Sequence, residues 1–457
     1  MNKRQTHLFI AVLVLFSFLH AQQSDSITIS KIYCNALNSQ TAYKNLLELC
    51  TNAPGRLIGT EASGKAMKIL TDQLKTAGAD TIYMQKYKTN VWRNLSHSKA
   101  SVEKDGKTID LNVVALGPSI STPDNGIEAE IIEVKSLEEL GTLGKENISG
   151  KIVFFNGPMD NTKFNTFAAY SQAGQQRFYG AGKASEFGAL GVIIRSLATE
   201  IDNFPHTGVF RYSEGFPEIP AIAISTADAE KLHKMLIAEQ NLSARIFTKT
   251  EIVDSVETGN IIAELKGSKN PGNIILVGGH YDSWFNTPGA NDDGAGCMQA
   301  IDIIRTFKDL GIRPENTIRV VLFMDEEMNQ TGAKIYAENY RKESRPHIAA
   351  IESDAGGALP SGFSVQASDS IFKHIVALSE YFKQYDIYNS STGHAGVDIA
   401  PLEEFGIPLI GLKVNSQQYF EYHHSANDTP DKIHRRELQL GTAAIAGLVY
   451  LIDKYGI

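Results

Sequence analysis

The chain has 457 residues, 42% of them hydrophobic, and a formal net charge of −9. Such a composition fits a globular protein with one large or two ordinary domains and excludes a low-complexity chain. The acidic balance argues against a nucleic-acid partner, which needs a basic face for phosphates, and three cysteines cannot build a disulfide scaffold.

At the N-terminus Lys3 and Arg4 precede an apolar run from Leu8 to Leu19, then Ala21 and a polar stretch, Gln22-Gln23-Ser24-Asp25. This layout predicts a secretory signal peptide over 1–21. The run is short for a bilayer span, so no stable membrane anchor is expected. The mature chain is expected to be secreted or periplasmic. Cys34 and Cys50 are close enough in sequence to pair there or to stay as free thiols, and Cys297 reads as core packing.

From Thr60 to Gly78 the pattern predicts an amphipathic helix. Thr60 is the cap, Ala66, Met67, Leu70 and Leu74 share one face, and Gly78 is the stop. Residues 22–120 are read as the first part of a large domain. Between 121 and 253 short apolar runs such as 152–155, 191–194 and 222–224 alternate with loops, which predicts an inserted, mostly β module. Residues 254–457 return to the large domain with apolar strands at 274–277, 318–323, 348–351 and 409–412, and a helix from about 294 to 310. Strands alternating with helices predict an α/β fold, a mostly parallel, mixed sheet with helices on both faces.

The chemistry-bearing residues stand just past those strands. His280 and Asp282 follow the first, Glu326 and Glu327 the second, and Asp354 the third, while two loops add Asn291-Asp292-Asp293 and His423-His424. Ligands of open α/β sheets collect outside the carboxyl ends of strands. Imidazole with carboxylate is a zinc donor set, and paired zincs need a carboxylate that can bridge them. Singly, each cluster has a bland reading: a helix cap at Asp292-Asp293, solvated charges at Glu326-Glu327, a turn at Asp354, a surface pair at His423-His424. All of those readings would have to hold together on one sheet edge.

The motifs resemble the M28 family of zinc peptidases, and within it the plasma glutamate carboxypeptidase (carboxypeptidase Q) group. They are Gly279-His280-Tyr281-Asp282-Ser283-Trp284, Gly289-Ala290-Asn291-Asp292-Asp293-Gly294, Glu326-Glu327, Glu352-Ser353-Asp354-Ala355-Gly356, Asp398-Ile399-Ala400-Pro401-Leu402, Tyr422-His423-His424-Ser425 and Asp428-Thr429-Pro430-Asp431-Lys432. The resemblance implies a di-zinc exopeptidase fold, with 22–120 and 254–457 forming the peptidase domain and 121–253 a protease-associated-like domain. It implies two Zn2+ per chain, with Asp292 bridging, His280 and Asp354 completing one site, and Glu327 and His424 the other. Glu326 would be the general base for water activated between the zincs, and the Asp282 carboxylate would hold the second nitrogen of His280. His423 is the poorer ligand of its pair, and Tyr419 or Tyr422 would serve the oxyanion. Short peptides are the expected substrates, by a dipeptidase, aminopeptidase or carboxypeptidase mode, and a homodimer is expected. A non-catalytic binding protein on this fold and a single-zinc, glutaminyl cyclase-like transferase are the competing readings. Both are disfavoured by a complete ligand set. Two positions depart from the family pattern: Asn329, where relatives place a glycine, and the segment Phe285-Asn286-Thr287-Pro288.

Overall fold

The computed structural model describes residues 23–239 and 241–457. The expected signal peptide, 1–21, lies outside them. No helix among the described residues is long and apolar enough to cross a membrane.

Two eight-stranded sheets organise the chain. The first runs, edge to edge, through Thr81–Asn94, Thr250–Leu265, Asn316–Phe323, Asn270–His280, His347–Glu352, Leu409–Val414, Pro360–Gln366 and Ser391–Thr392. Its four central strands, Asn316–Phe323 to Leu409–Val414, are parallel, and antiparallel pairs flank them. Alternation along a strand explains why its middle is wholly apolar. Ile275 and Val277 enter a core beneath the helices Thr41–Asn52, Glu61–Ala77, Ala295–Leu310 and Arg435–Tyr455, whereas Ile274 and Leu276 enter a second core with Ala333, Tyr336 and Leu402.

The predicted helix forms over Glu61–Ala77. The Thr60 hydroxyl accepts from the Ser63 N–H at 3.1 Å, and Gly78 closes the helix at φ 93°. Thr60→Ala removes that acceptor and is expected to cost about 1 kcal/mol. A shift of the urea midpoint with an unchanged slope would check it.

The second sheet runs through Lys107–Leu111, Lys99–Lys104, Ser243–Phe247, Ile127–Val134, Ile152–Phe155, Gly191–Arg195, Ala221–Ile224 and Val113–Ala115. Strand pairing thus begins upstream of residue 121, and Thr250 already pairs with Asn94 in the first sheet. The module is also less purely β than its sequence suggests, because the helices Leu137–Ile148, Thr166–Glu186 and Thr226–Ala238 pack on it. The longest of these hides behind its glycines. Gly180 and Gly182 are there for close approach: a Cβ on Gly182 would lie 2.8 Å from the Ser213 nitrogen, and one on Gly180 would lie 3.0 Å from the Phe155 ring. The long pair Thr81–Asn94 and Thr250–Leu265 carries the chain out to this module and back.

Candidate metal centre

Each chemistry-bearing residue sits where a parallel strand of the first sheet ends or in a loop beside that edge. His280 is the last residue of its strand, Asp325 to Glu327 follow Phe323, and Asp354 lies just past Glu352. Gly279 lets the strand Asn270–His280 approach the turn Ala290–Gly294 and the helix that follows it, since a Cβ there would lie 2.3 Å from the Asp293 carboxylate and 3.3 Å from the Cys297 nitrogen. The Asn291-Asp292 turn is pinned from the far end of the chain. One oxygen of buried Asp428 accepts from the Asn291 N–H at 2.7 Å and the other from the Asp292 N–H at 3.1 Å. Burial lifts Asp428 to about 7, against these hydrogen bonds.

Two groups of donors form around Asp292. His280 Nε2 lies 3.1 Å from Asp292 Oδ1 and 3.5 Å from Asp354 Oδ1. On the other side His424 Nε2 lies 3.3 Å from Asp292 Oδ2 and 3.1 Å from Glu327 Oε2. Within each of the sets His280, Asp292, Asp354 and Asp292, His423, His424, the donor atoms all lie within 4.8 Å of one another. Asp292 belongs to both. His423, the poorer candidate from sequence, therefore also joins the cluster, with Nε2 3.6 Å from Asp292 Oδ2. His424 takes a left-handed backbone, φ 61°, which is uncommon for a non-glycine residue.

This set fits divalent cations. Buried carboxylates crowd together with unmet acceptor capacity, for Asp292 Oδ2 and Glu327 Oε1 have no hydrogen-bond partner among the described residues. Burial, reinforced by the charge of Asp292, raises Glu327 to about 7. Burial also holds Glu326 well above the usual carboxylate range, with Asp354, Glu327 and Asp292 adding to it. Burial works against a charged His280, yet Asp282, Asp292 and Asp354 together hold its proton affinity well above normal. Glu326 Oε2 stands 4.0 Å from His280 Nε2, beside the donor groups.

Asp282 faces His280 with both its backbone and its carboxylate. The group at hydrogen-bond distance from His280 Nδ1 is the Asp282 backbone carbonyl, 3.2 Å away, while its carboxylate Oδ1 stays at 3.7 Å. Two backbone donors share that oxygen, the N–H groups of Asp325 at 3.0 Å and Glu326 at 3.3 Å. Asp282 thus ties the His280 strand end to the Glu326 turn. Asn329 does not take the left-handed conformation that its glycine-like place suggests; Asp325 and Gln330 do, at φ 74° and 56°. Tyr419 is buried with its ring 5.2 Å from that of His423, and a Cβ on Gly356 would lie 3.2 Å from the Tyr419 ring, whereas Tyr422 meets Lys432.

Three supports were not assigned from sequence. Asp428 is one. Glu352, which burial lifts to about 8, accepts from the N–H groups of Val397 and Ile399, both at 2.9 Å. Arg56, fully buried, donates to the carbonyls of Tyr281 at 2.6 Å and Gly289 at 2.8 Å on either side of the Ser283–Pro288 loop.

The chain is similar to known proteins over most of its length. A family model described as Peptidase family M28 matches residues 260–449. Carboxypeptidase Q of Bos taurus is 31% identical over 421 residues, covering 92% of this chain and 86% of that protein. Carboxypeptidase Q of Homo sapiens is 30% identical over the same shares. The crystal structure of a Peptidase M28 precursor from Shewanella amazonensis SB2B matches with a TM-score of 0.89 at 31% identity, covering 94% of this chain and 97% of its own. A zinc aminopeptidase from Bacillus subtilis shares the fold, with a TM-score of 0.64 at 20% identity, covering 90% of this chain and 94% of its own.

Proposed function

The chain belongs to peptidase family M28, and from that premise we propose that it is a secreted, two-zinc exopeptidase hydrolysing short peptides. The observation that carries this reading is Asp292, a buried carboxylate whose two oxygens face two separate imidazole-and-carboxylate groups. His280, Asp292 and Asp354 would hold one ion, and Asp292, Glu327 and His424 the other. Zinc bound there supplies a Lewis acid and brings the pKa of water near neutrality.

The protein's own part is proton traffic and positioning. Glu326 accepts the proton of the attacking water and returns it to the departing amine, because an unprotonated amide nitrogen leaves too slowly. Burial raises its proton affinity, which favours uptake of the proton from water. Asp282 fixes the turn that carries Glu326 through the two N–H bonds to its carboxylate. Tyr419, which is buried and whose hydroxyl feels the charges of Asp292 and Asp354, would donate to the developing oxyanion. The completeness of both donor groups supports hydrolysis over a single-zinc transferase or a binding protein.

Hydrolysis of a small panel by the mature protein, with and without a chelator, tests the reading. The panel is a dipeptide, the same dipeptide blocked at either end, and a longer peptide. Chelator-sensitive cleavage of the free dipeptide alone is the dipeptidase outcome. Cleavage that tolerates a blocked C-terminus marks an aminopeptidase, and cleavage that tolerates a blocked N-terminus marks a carboxypeptidase. No cleavage of any member by a folded, zinc-loaded sample would sink the proposal.

A further inference from the structure

The loop Pro205-His206-Thr207-Gly208 belongs to the second-sheet module, yet it reaches the metal centre. Thr207 and His424, 217 positions apart, exchange two hydrogen bonds. The Thr207 N–H donates to the His424 carbonyl at 3.0 Å, and His424 Nδ1 meets the Thr207 carbonyl at 3.2 Å. A carbonyl can only accept, so this contact requires the proton on Nδ1 and leaves Nε2 with a free lone pair. That Nε2 faces Glu327 and Asp292.

The loop is itself held by the module. The Thr207 hydroxyl donates to the Ala115 carbonyl at 2.6 Å, and the His206 N–H donates to the Ser196 hydroxyl at 2.8 Å. Arg177, held by the Tyr170 hydroxyl at 2.6 Å, lies against Gly208, whose φ is 148°. A Cβ on Gly208 would lie 2.5 Å from Arg177 Nη1.

We propose that the inserted module is a structural part of the metal centre, with Thr207 as a positioning residue whose carbonyl sets the tautomer and aim of His424. The inference rests on His424 being a ligand, as proposed above. The module's docking and the affinity of the Glu327–His424 ion are linked, because an imidazole that loses its outer hydrogen bond turns freely and is a weaker ligand.

Gly208→Ala strains the peptide that carries the Thr207 carbonyl, and Thr207→Ala removes only the hydroxyl anchor. Zinc binding is read by competition with a chromophoric chelator, and the Co2+-substituted protein by its visible spectrum. Gly208→Ala is expected to weaken one ion by about 10- to 100-fold, leave the other unchanged and alter the cobalt bands. Thr207→Ala should act in the same direction on the same ion, more weakly, and decides the matter if Gly208→Ala does not fold. Folded variants that both bind two ions with wild-type affinity and spectrum would overturn the proposal. His424→Ala separates the two levels. If it keeps both ions, the ligand assignment itself fails and the module's role with it. If it loses one ion while the loop variants keep both, only the module's role fails.

Discussion

Replacing Glu326 by Gln is expected to lower kcat by about 10²- to 10⁴-fold while the protein still binds two zinc ions per chain. Glutamine keeps the size and hydrogen-bonding reach of the side chain but cannot take a proton from water. The donors His280, Asp292, Asp354, Glu327 and His424 are untouched by the change, so metal content should not move. The N–H of residue 326 still bonds to Asp282, which holds the turn in place whatever the side chain. The Glu326 carboxyl stands 4.0 Å from His280 Nε2, a spacing the neutral amide can keep. Metal analysis alongside steady-state kinetics checks this. A variant that holds two ions and retains more than about a tenth of the activity would remove Glu326 from the role of base.

How far the sequence reaches depends on the distance over which each feature is decided. The helix Glu61–Ala77 was legible down to its caps because Thr60, the apolar face and Gly78 act within one segment. The central strands were legible because both their faces are buried, which leaves an unbroken apolar run. The helix Thr166–Glu186 was not. Its glycines are placed for contact with Phe155 and Ser213, neighbours that appear only once the chain has folded. The metal donors stood out because strand ends gather them in sequence order. Their supports did not. Asp428 reaches Asp292 across 136 positions, and Thr207 reaches His424 across 217, and neither spacing has a signature. Asp282 shows a subtler limit. Its place two residues past His280 suggested a contact with the imidazole, and the carboxylate does stand 3.7 Å from Nδ1, but two backbone donors that the spacing does not reveal share the same oxygen.

The bridging position makes the sharpest contrast among the ligands. Asp292→Asn is expected to lose both ions at zinc concentrations that saturate the wild type, and to reduce kcat/KM by roughly 10³-fold or more. Asp354→Asn, by comparison, should lose one. The reasoning is geometric. Asp292 Oδ1 faces His280 and Oδ2 faces His424, so one carboxylate completes both donor groups. An amide offers a single oxygen and carries no charge, and its NH2 would point a donor at one of the two imidazole-lined positions. Folding should survive, because the Asp292 N–H stays bonded to Asp428 and the turn keeps its frame. Removal of this buried anion also takes away a charge that the apo cluster favours, since against burial the neighbouring His280 and His424 hold the Asp292 carboxyl well below the usual carboxylate range. Asp292→Asn without metal is therefore expected to be less stable than the chelated wild type, and it cannot be loaded. Thermal melts with and without zinc would read both effects at once: a large zinc-dependent rise for the wild type, none for the variant. A variant that still binds one ion with wild-type affinity would show that Asp292 is not shared, and the two donor groups would then be independent sites.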